Sequence, residues 1–408
     1  MWHCLTPDAQ RNWLQVPGQE IFQTFLPMGD KDAKSGREGA PETIFATYSR
    51  GVQTCRDEVV YDFRRDRLLE RADDFINDYL AELDRYKRAL KKGAVDIDRF
   101  ADYDRLKWDS TLKKHLSGER ETEFDATRVR HSLYRPFCKQ WLYFDRLLIN
   151  SIHQQHYFFP TPQTEAENRV ICLTGTGSEK PFMVMMTDLI SDLHLVGAGS
   201  ASQCFPFYTY AEDGTNRREN ITDSALEQFR AHYSDERITK WDIFYYIYAV
   251  LHQPEYRERF AEALKKELPR VPFAPDFWAY AEAGRQLGAL HVDYESAPEY
   301  PLREVWAVGK PLNYRVESAM KLRPSSVAGE YVLEVNGSLR LEGIPAAALE
   351  YKLGNRSALE WLVEQYRVED GRDPNGYGGD QYIVQLVKRV VQVSLETLRI
   401  VRALPSLF

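Results

Sequence analysis

The chain has 408 residues, of which 43% are hydrophobic, 13% aromatic and 28% charged, and its formal net charge is −8 at pH 7. This length exceeds one typical hydrophobic core, so we expect two or three packed units, and the acidic balance argues against a uniformly basic nucleic-acid binder. No apolar run is long enough for a membrane span, and the N-terminus lacks the features of a secretory signal. We therefore expect a cytoplasmic protein. Its five cysteines are too scattered for a disulfide framework or a zinc site: Cys4, Cys55, Cys138, Cys172 and Cys204.

The first 45 residues are predicted to be a connecting segment from an upstream domain. Residues 27–42 ("PMGDKDAKSGREGAPE") are rich in Gly, Pro and charge, which is typical of a loop. The sequence begins abruptly, so we expect the chain to be the later part of a longer protein.

Residues 46–215 are predicted to form a β-rich lobe with one long helix. The helix is expected over 65–92, where apolar residues recur at i, i+3 and i+4. Short β-type runs bounded by Gly, Pro, Asp or Ser follow, and they cover 139–145, 169–175, 181–188, 192–197 and 204–210.

Residues 216–408 are predicted to form a mainly helical lobe with a small β insert at about 312–342. Asn336-Gly337, between alternating runs, predicts a hairpin within the insert. The fold class is therefore mixed α+β, with the β-rich lobe packed against the helical one.

The aromatic stretch 238–256 ("ITKWDIFYYIYAVLHQPEY") is predicted to be a helix in the core. Phe244, Ile247, Tyr248 and Leu251 share one stripe, whereas Tyr246 is expected to lie toward the surface. A stacking platform for nucleic acid is disfavoured, because such platforms lie on sheets or in cationic grooves.

No catalytic constellation is apparent. Residues 173–180 ("LTGTGSEK") lack the spacing of a nucleotide-binding loop and predict a turn between strands. His153 and His156 have no third metal ligand nearby. The Asn-Pro-Pro-Tyr motif of adenine methyltransferases is absent from the sequence.

One region favours an anionic partner, because residues 85–146 hold 16 Lys and Arg against 10 Asp and Glu. Cations gathered on one surface bind phosphates, and Arg or Lys can also reach base edges. A solvated helical face of mixed charge remains the alternative. The candidate cations are Lys107, Lys113, Lys114, Arg120, Arg128, Arg130, Arg135 and Lys139.

Six stretches, in the same order, resemble the C-terminal specificity region of type ISP restriction–modification enzymes. They include "YSRGVQTCRDEVVYDF", "LYRPFCKQWLYFD" and the aromatic stretch, and they cover 48–63, 133–145, 202–210, 238–273, 341–368 and 381–401. The resemblance implies a target-recognition domain that reads double-stranded DNA.

The resemblance also implies that catalysis belongs to other domains. A methyltransferase and a helicase-like translocase, either linked or separate, would be the partners of this chain. S-adenosylmethionine, ATP and Mg²⁺ are expected only in those domains, and no cofactor is expected here. The alternative is a docking module that braces these domains without reading DNA.

In the light of this resemblance, the segment "SRGVQTCRDE" (49–58) is a candidate for base contacts. Arg50, Gln53, Thr54 and Arg56 are all able to bond in a groove. A turn between strands, with local pairing of Arg56 and Asp57, is the alternative.

Overall fold

The computed structural model describes residues 19–369 and 371–408 and shows a mixed α+β fold, as predicted. The helices are α1 (Gln19–Gln23), α2 (Lys31–Lys34), α3 (Asp57–Val60), α4 (Arg65–Leu90), α5 (Ile97–Phe100), α6 (Ser110–Ser117), α7 (Gln155–Phe158), α8 (Pro162–Glu167), α9 (Asp223–Tyr233), α10 (Lys240–Val250), α11 (Pro254–Arg259), α12 (Ala261–Lys266), α13 (Phe277–Val292), α14 (Ala358–Gln365) and α15 (Tyr382–Arg402). In this part of the chain, no helix is both long and apolar enough to cross a lipid bilayer.

The strands are short, and most pair antiparallel. They are β1 (Leu26–Pro27), β2 (Ser49–Arg50), β3 (Tyr61–Asp62), β4 (Val129–Arg135), β5 (Cys138–Tyr143), β6 (Val170–Thr174), β7 (Val184–Thr187), β8 (Ile190–Ser191), β9 (Ser202–Pro206), β10 (Tyr208–Thr209), β11 (Arg218–Glu219), β12 (Arg270–Val271), β13 (Arg303–Trp306), β14 (Lys321–Pro324), β15 (Glu330–Glu334), β16 (Leu339–Pro345), β17 (Lys352–Leu353) and β18 (Arg356–Ser357). The larger sheets have the strand orders β2-β9-β6-β7, β3-β5-β4-β8 and β13-β16-β15-β14. The pairing of β4 with β8 is parallel.

The long helix α4 confirms the helix predicted over 65–92. Its apolar stripe, which includes Leu68, Phe75 and Tyr79, is buried against strand β5. The hydroxyl of Tyr79 donates to the carbonyl of Arg120 at 2.8 Å. This bond fixes the loop that follows α6 beside the long helix.

The aromatic helix α10 is buried, as predicted, although the placement of one ring was wrong. Phe244, Ile247 and Tyr248 are fully buried, and so is Tyr246, which was expected near the surface. Tyr246 donates to the carbonyl of Pro272 at 2.7 Å and accepts from the amide of Ala274 at 2.6 Å. These partners satisfy the phenol inside the core, so the ring needs no contact with water.

Two hydrophobic cores lie on opposite faces of the β2-β9-β6-β7 sheet. Along β6, Val170 and Cys172 point into one core, and Ile171 and Leu173 point into the other. The first core joins α4 and the β3-β5-β4-β8 sheet to the β insert and most of α15. The second joins residues 22–45 to helices α9 to α13. Both cores contain residues from either side of the boundary predicted at residue 215. The division of the chain into two lobes stays a prediction from the sequence.

The β insert and its hairpin agree with the sequence. Strands β15 and β16 pair antiparallel around Asn336-Gly337. The side-chain oxygen of Asn336 accepts from the amides of Ser338 and Leu339 at 2.7 and 2.8 Å. The strand predicted at 192–197 is wrong, because this segment forms a turn in which the Asp192 carboxylate accepts from the amide of His194 at 2.8 Å.

Candidate nucleic-acid interface

The twelve side chains that the sequence singles out fall into three groups in the structure. Arg50, Lys114 and Arg120 are exposed, and no carboxylate among the described residues lies within 4.0 Å of their charged groups. Gln53 is half-buried. The remaining eight are paired with other side chains, three at the surface and five in the interior.

The first interior pair includes Arg56, which is 1% exposed. Its guanidinium binds the carboxylate of Asp109 and donates to the carbonyl of Leu148 at 2.6 Å. Asp109 also caps helix α6, where it accepts from the amide of Leu112. Arg56 therefore ties the segment 49–57 to the start of α6, and its partner is Asp109 and not Asp57, the partner given in the alternative interpretation of the sequence.

Thr54 is also buried, and its hydroxyl donates to the carboxylate of Asp57. The same carboxylate accepts from the phenol of Tyr134 at 2.9 Å. Thr54 therefore orients the backbone of its own segment.

Strands β4 and β5 hold the other interior cations. Arg130 binds Glu165 at 2.5 Å, Arg135 binds Asp192 at 2.7 Å, and Lys139 binds Glu295 at 2.8 Å. The guanidinium of Arg135 also stacks on the ring of Tyr134, at 3.9 Å from its centre. Thr54, Arg56 and Arg130 are buried, and Arg135 and Lys139 keep only 13% and 15% of their side chains exposed. Because all five are also bound to other side chains, we leave Thr54, Arg56, Arg130, Arg135 and Lys139 out of the proposed interface.

The surface-paired group comprises Lys107, Lys113 and Arg128. Lys107 binds Glu58 at 2.5 Å, and Lys113 binds Asp98 at 2.6 Å. Arg128 binds Asp145 and lies 3.5 Å from Asp125. A phosphate would have to compete with these carboxylates.

A loop that the sequence reasoning missed joins the two predicted patches. Gln53 and Ser151 exchange backbone hydrogen bonds of 2.8 and 2.9 Å, and the side chain of Asn150 donates to the hydroxyl of Thr111 at 3.2 Å. The carbonyl of Arg146 lies 3.3 Å from the ring of His115 on α6. Residues 145–154 thus bridge segment 49–57 and helix α6. Within the loop, Leu147, Leu148 and Ile149 are buried, whereas Arg146 is exposed and residues 150–154 are half-buried. We call Arg50, Gln53, Lys114, Arg120 and these accessible loop residues the exposed face.

Backbone constraints hold the segment 49–57 in place. A Cβ at Gly51 would overlap with the carbonyl oxygen of Asp192, so only glycine fits there. Cys55 and His153 have φ of 57° and 47°, in the left-handed region that non-glycine residues rarely adopt. Strain of this kind is retained where the surrounding structure imposes it, often at functional sites.

Beside the loop lies a polar groove of about 640 Å³, lined in part by Arg120, Arg128, Arg146, His156 and Glu212. Arg146 binds Glu212 at 2.8 Å, and Arg128 is paired as described above. Burial, and then the charge of Arg146, lower the pKa of His156, which favours the neutral ring. The groove therefore presents both donors and acceptors, which suits base edges better than a row of phosphates.

No metal site is apparent at His153 and His156. Within 19–369 and 371–408, no group of three or more His, Cys, Asp or Glu side chains is arranged to hold a metal ion.

Loop 145–154 did leave a signal in the sequence. Polar residues stand between two β runs ("NSIHQQH", 150–156) and could have pointed to it.

Comparison with known proteins places the fold. The family described as the Type ISP C-terminal specificity domain matches residues 43–383. The structure of a DrdV–DNA complex is 35% identical with a TM-score of 0.82, and the match covers 99% of this chain and 40% of that one. No match was found among curated protein sequences.

Two further structures share the fold. A nuclease-deletion mutant of the Type ISP restriction-modification enzyme LlaGI, in complex with a DNA substrate mimic, is 29% identical with a TM-score of 0.82, covering 99% of this chain and 36% of that one. The ATP-dependent Type ISP enzyme LlaBIII bound to DNA is 24% identical with a TM-score of 0.78, covering 95% of this chain and 24% of that one. The chain thus spans less than half the length of each of these three proteins.

Proposed function

The chain belongs to the family of Type ISP C-terminal specificity domains, and from this membership we propose that it binds duplex DNA and reads a short sequence in it. Two DNA-bound relatives that match 99% of the chain support the proposal. The observation that carries it is the exposed face, where three cations have no carboxylate partner among the described residues and the loop that contacts Gln53 and α6 offers polar side chains.

Within the exposed face, some residues contact phosphates and others contact bases. Arg50, Lys114 and Arg120 neutralise phosphates and so set the register of the protein on the duplex. The side-chain amide of Gln53 and the polar residues of loop 145–154 then meet base edges, as amides do when they bind adenine in the major groove. Lys107, Lys113 and Arg128 contribute less, because each already has a carboxylate partner.

Catalysis is assigned to other domains. A methyltransferase and an ATP-dependent translocase, linked or separate, would act on the site that this chain reads, and S-adenosylmethionine, ATP and Mg²⁺ would bind there. The second candidate function is a docking module that braces such domains without reading DNA. The numerous surface ion pairs of the helical part favour it only weakly, since exposed pairs of this kind are common.

Selection from a random duplex library at low salt, followed by a salt titration of the winning sequence, tests the proposal. We expect one asymmetric motif to be enriched and log K to fall with log salt at about −0.9 per phosphate neutralised. Salt-sensitive binding without enrichment would contradict sequence reading by this chain alone. The absence of binding would favour the docking module.

A further inference from the structure

We propose that the cavity between turn 175–182 and helices α11 and α12 binds a phosphate monoester that carries a flat ring system, the chemical class of the nucleoside monophosphates. The cavity has a volume of about 470 Å³, which lies in the range of small-molecule sites. The amide of Gly177 donates to the carbonyl of Lys265 at 2.8 Å and ties the turn to α12. This turn is the glycine-containing stretch that fails the spacing of a nucleotide-binding loop.

Arg257, on the wall of the cavity, has a charge that the protein does not balance. Its Nε donates to the carbonyl of Leu251 at 2.6 Å, and no carboxylate among the described residues lies within 4.0 Å of the guanidinium. Burial lowers the pKa of Arg257, and the groups that oppose this shift are the phenols of Tyr351 and Tyr248. Arg257 is half-buried, so an anion bound in the cavity would give its guanidinium the counterion that the described residues do not supply.

Lys180 supplies a second cation to the same cavity. It also lines the cavity, and within the described residues its ammonium has no carboxylate within 4.0 Å. The acidic residues of the lining, Glu179 and Glu258, are exposed, and neither pairs with Arg257 or Lys180. An oxyanion between the two cations would receive charge-assisted hydrogen bonds from both.

The remaining lining residues contact the part of the ligand that carries no charge. Pro181, Phe182, Ala261 and Leu264 line the cavity, and the guanidinium of Arg257 lies 5.7 Å from the centre of the Phe182 ring. A flat apolar group would contact this wall while its anionic group reached the cations. Such a ligand is a free nucleotide or the terminal nucleotide of a single strand.

The test is calorimetric titration of the full chain, at constant ionic strength, with adenosine 5′-monophosphate, adenosine, and a 5′-phosphorylated trinucleotide. We expect the monophosphate to bind and adenosine to bind at least roughly tenfold more weakly, because the phosphate carries the charged hydrogen bonds. Arg257→Met and Lys180→Ala are each expected to weaken binding by about tenfold or more, whereas the exposed control Lys321→Ala leaves it unchanged. Binding of the trinucleotide alone, with the same dependence on Arg257 and Lys180, would assign the site to strand ends.

Equal affinity for adenosine and its monophosphate would overturn the proposal, and so would failure of both nucleotide ligands to bind. Unchanged affinity in the two variants would also overturn it. Without ligand, Arg257→Met is expected to unfold at about the same denaturant concentration as the unchanged chain, since no carboxylate among the described residues loses a partner. If that variant does not fold, Lys180→Ala decides. Neither residue belongs to the exposed face, so failure here leaves the DNA proposal standing.

Discussion

Helix α6 and the loop after it expose Lys114 and Arg120 to solvent, whereas strands β4 and β5 turn Arg130, Arg135 and Lys139 into the protein. Both regions lie in the same basic stretch and use the same residue types. What separates them is a carboxylate from a distant part of the chain, which binds each of the three strand cations, whereas none among the described residues lies within 4.0 Å of Lys114 or Arg120. A local excess of positive charge is therefore a poor guide to a binding surface until each cation has been matched to its partner.

We expect the largest effect, a loss of stability, from replacing a cation that is bound in the interior. Arg135→Met should lower the free energy of unfolding by about 3–5 kcal/mol, because it leaves the carboxylate of Asp192 buried without its cation. Denaturant titration measures the change. Arg120→Met is the matched control, and its effect should stay within about 0.5 kcal/mol because its charge is exposed and has no carboxylate partner in the part of the chain that the structure describes.

The double variant Arg135→Met/Asp192→Asn sharpens the same test. Removing both charges should recover part of the loss, since the penalty arises from the unpaired carboxylate and not from the missing arginine. A loss for Arg135→Met no larger than that for Arg120→Met would show that the pair contributes nothing to stability.

The sequence allowed the elements to be predicted where the pattern was local. Helix α4, the aromatic helix and the hairpin at Asn336-Gly337 each follow from spacing within one element. Tyr246 was misplaced because α10 is packed on most of its circumference, and one apolar stripe does not reveal the second buried side. The segment 192–197 has a strand-like composition but bends around the Asp192 side chain.

The candidate site was less predictable, because burial depends on partners far along the chain. Arg130, Arg135 and Lys139 bind carboxylates 35, 57 and 156 positions away. No local pattern distinguishes them from Lys114 or Arg120. Loop 145–154 was missed for the same reason, since it becomes part of the exposed face only through its contacts with Gln53 and Thr111.

Within the exposed face, we expect Gln53 to affect discrimination between base pairs and the cations to affect the salt dependence of binding. Gln53→Ala should reduce discrimination at one base pair by about 1–3 kcal/mol, because a bidentate amide contact would be lost. Repeating the library selection with the variant measures this loss. Gln286→Ala, an exposed glutamine on α13, is the control. A weaker but equally selective Gln53→Ala would mean that this side chain contacts the backbone of the DNA instead.

We expect the smallest difference between two pairs of cations in the same basic region, and the quantity compared is the salt slope of DNA binding. Replacing Lys114 and Arg120 by alanine should reduce the salt slope of DNA binding by about 1.8, since each would release one phosphate contact. Replacing Lys107 and Lys113 should reduce it by less, because each must first leave Glu58 or Asp98 to reach DNA. Salt titrations of the two double variants and of Lys321→Ala measure the slopes.

Equal reductions would mean that DNA displaces Glu58 and Asp98 without cost, and pairing at the surface would then no longer distinguish the cations that bind DNA. A larger reduction for Lys107 and Lys113 would move the phosphate contacts to the side of α6 that faces Asp98.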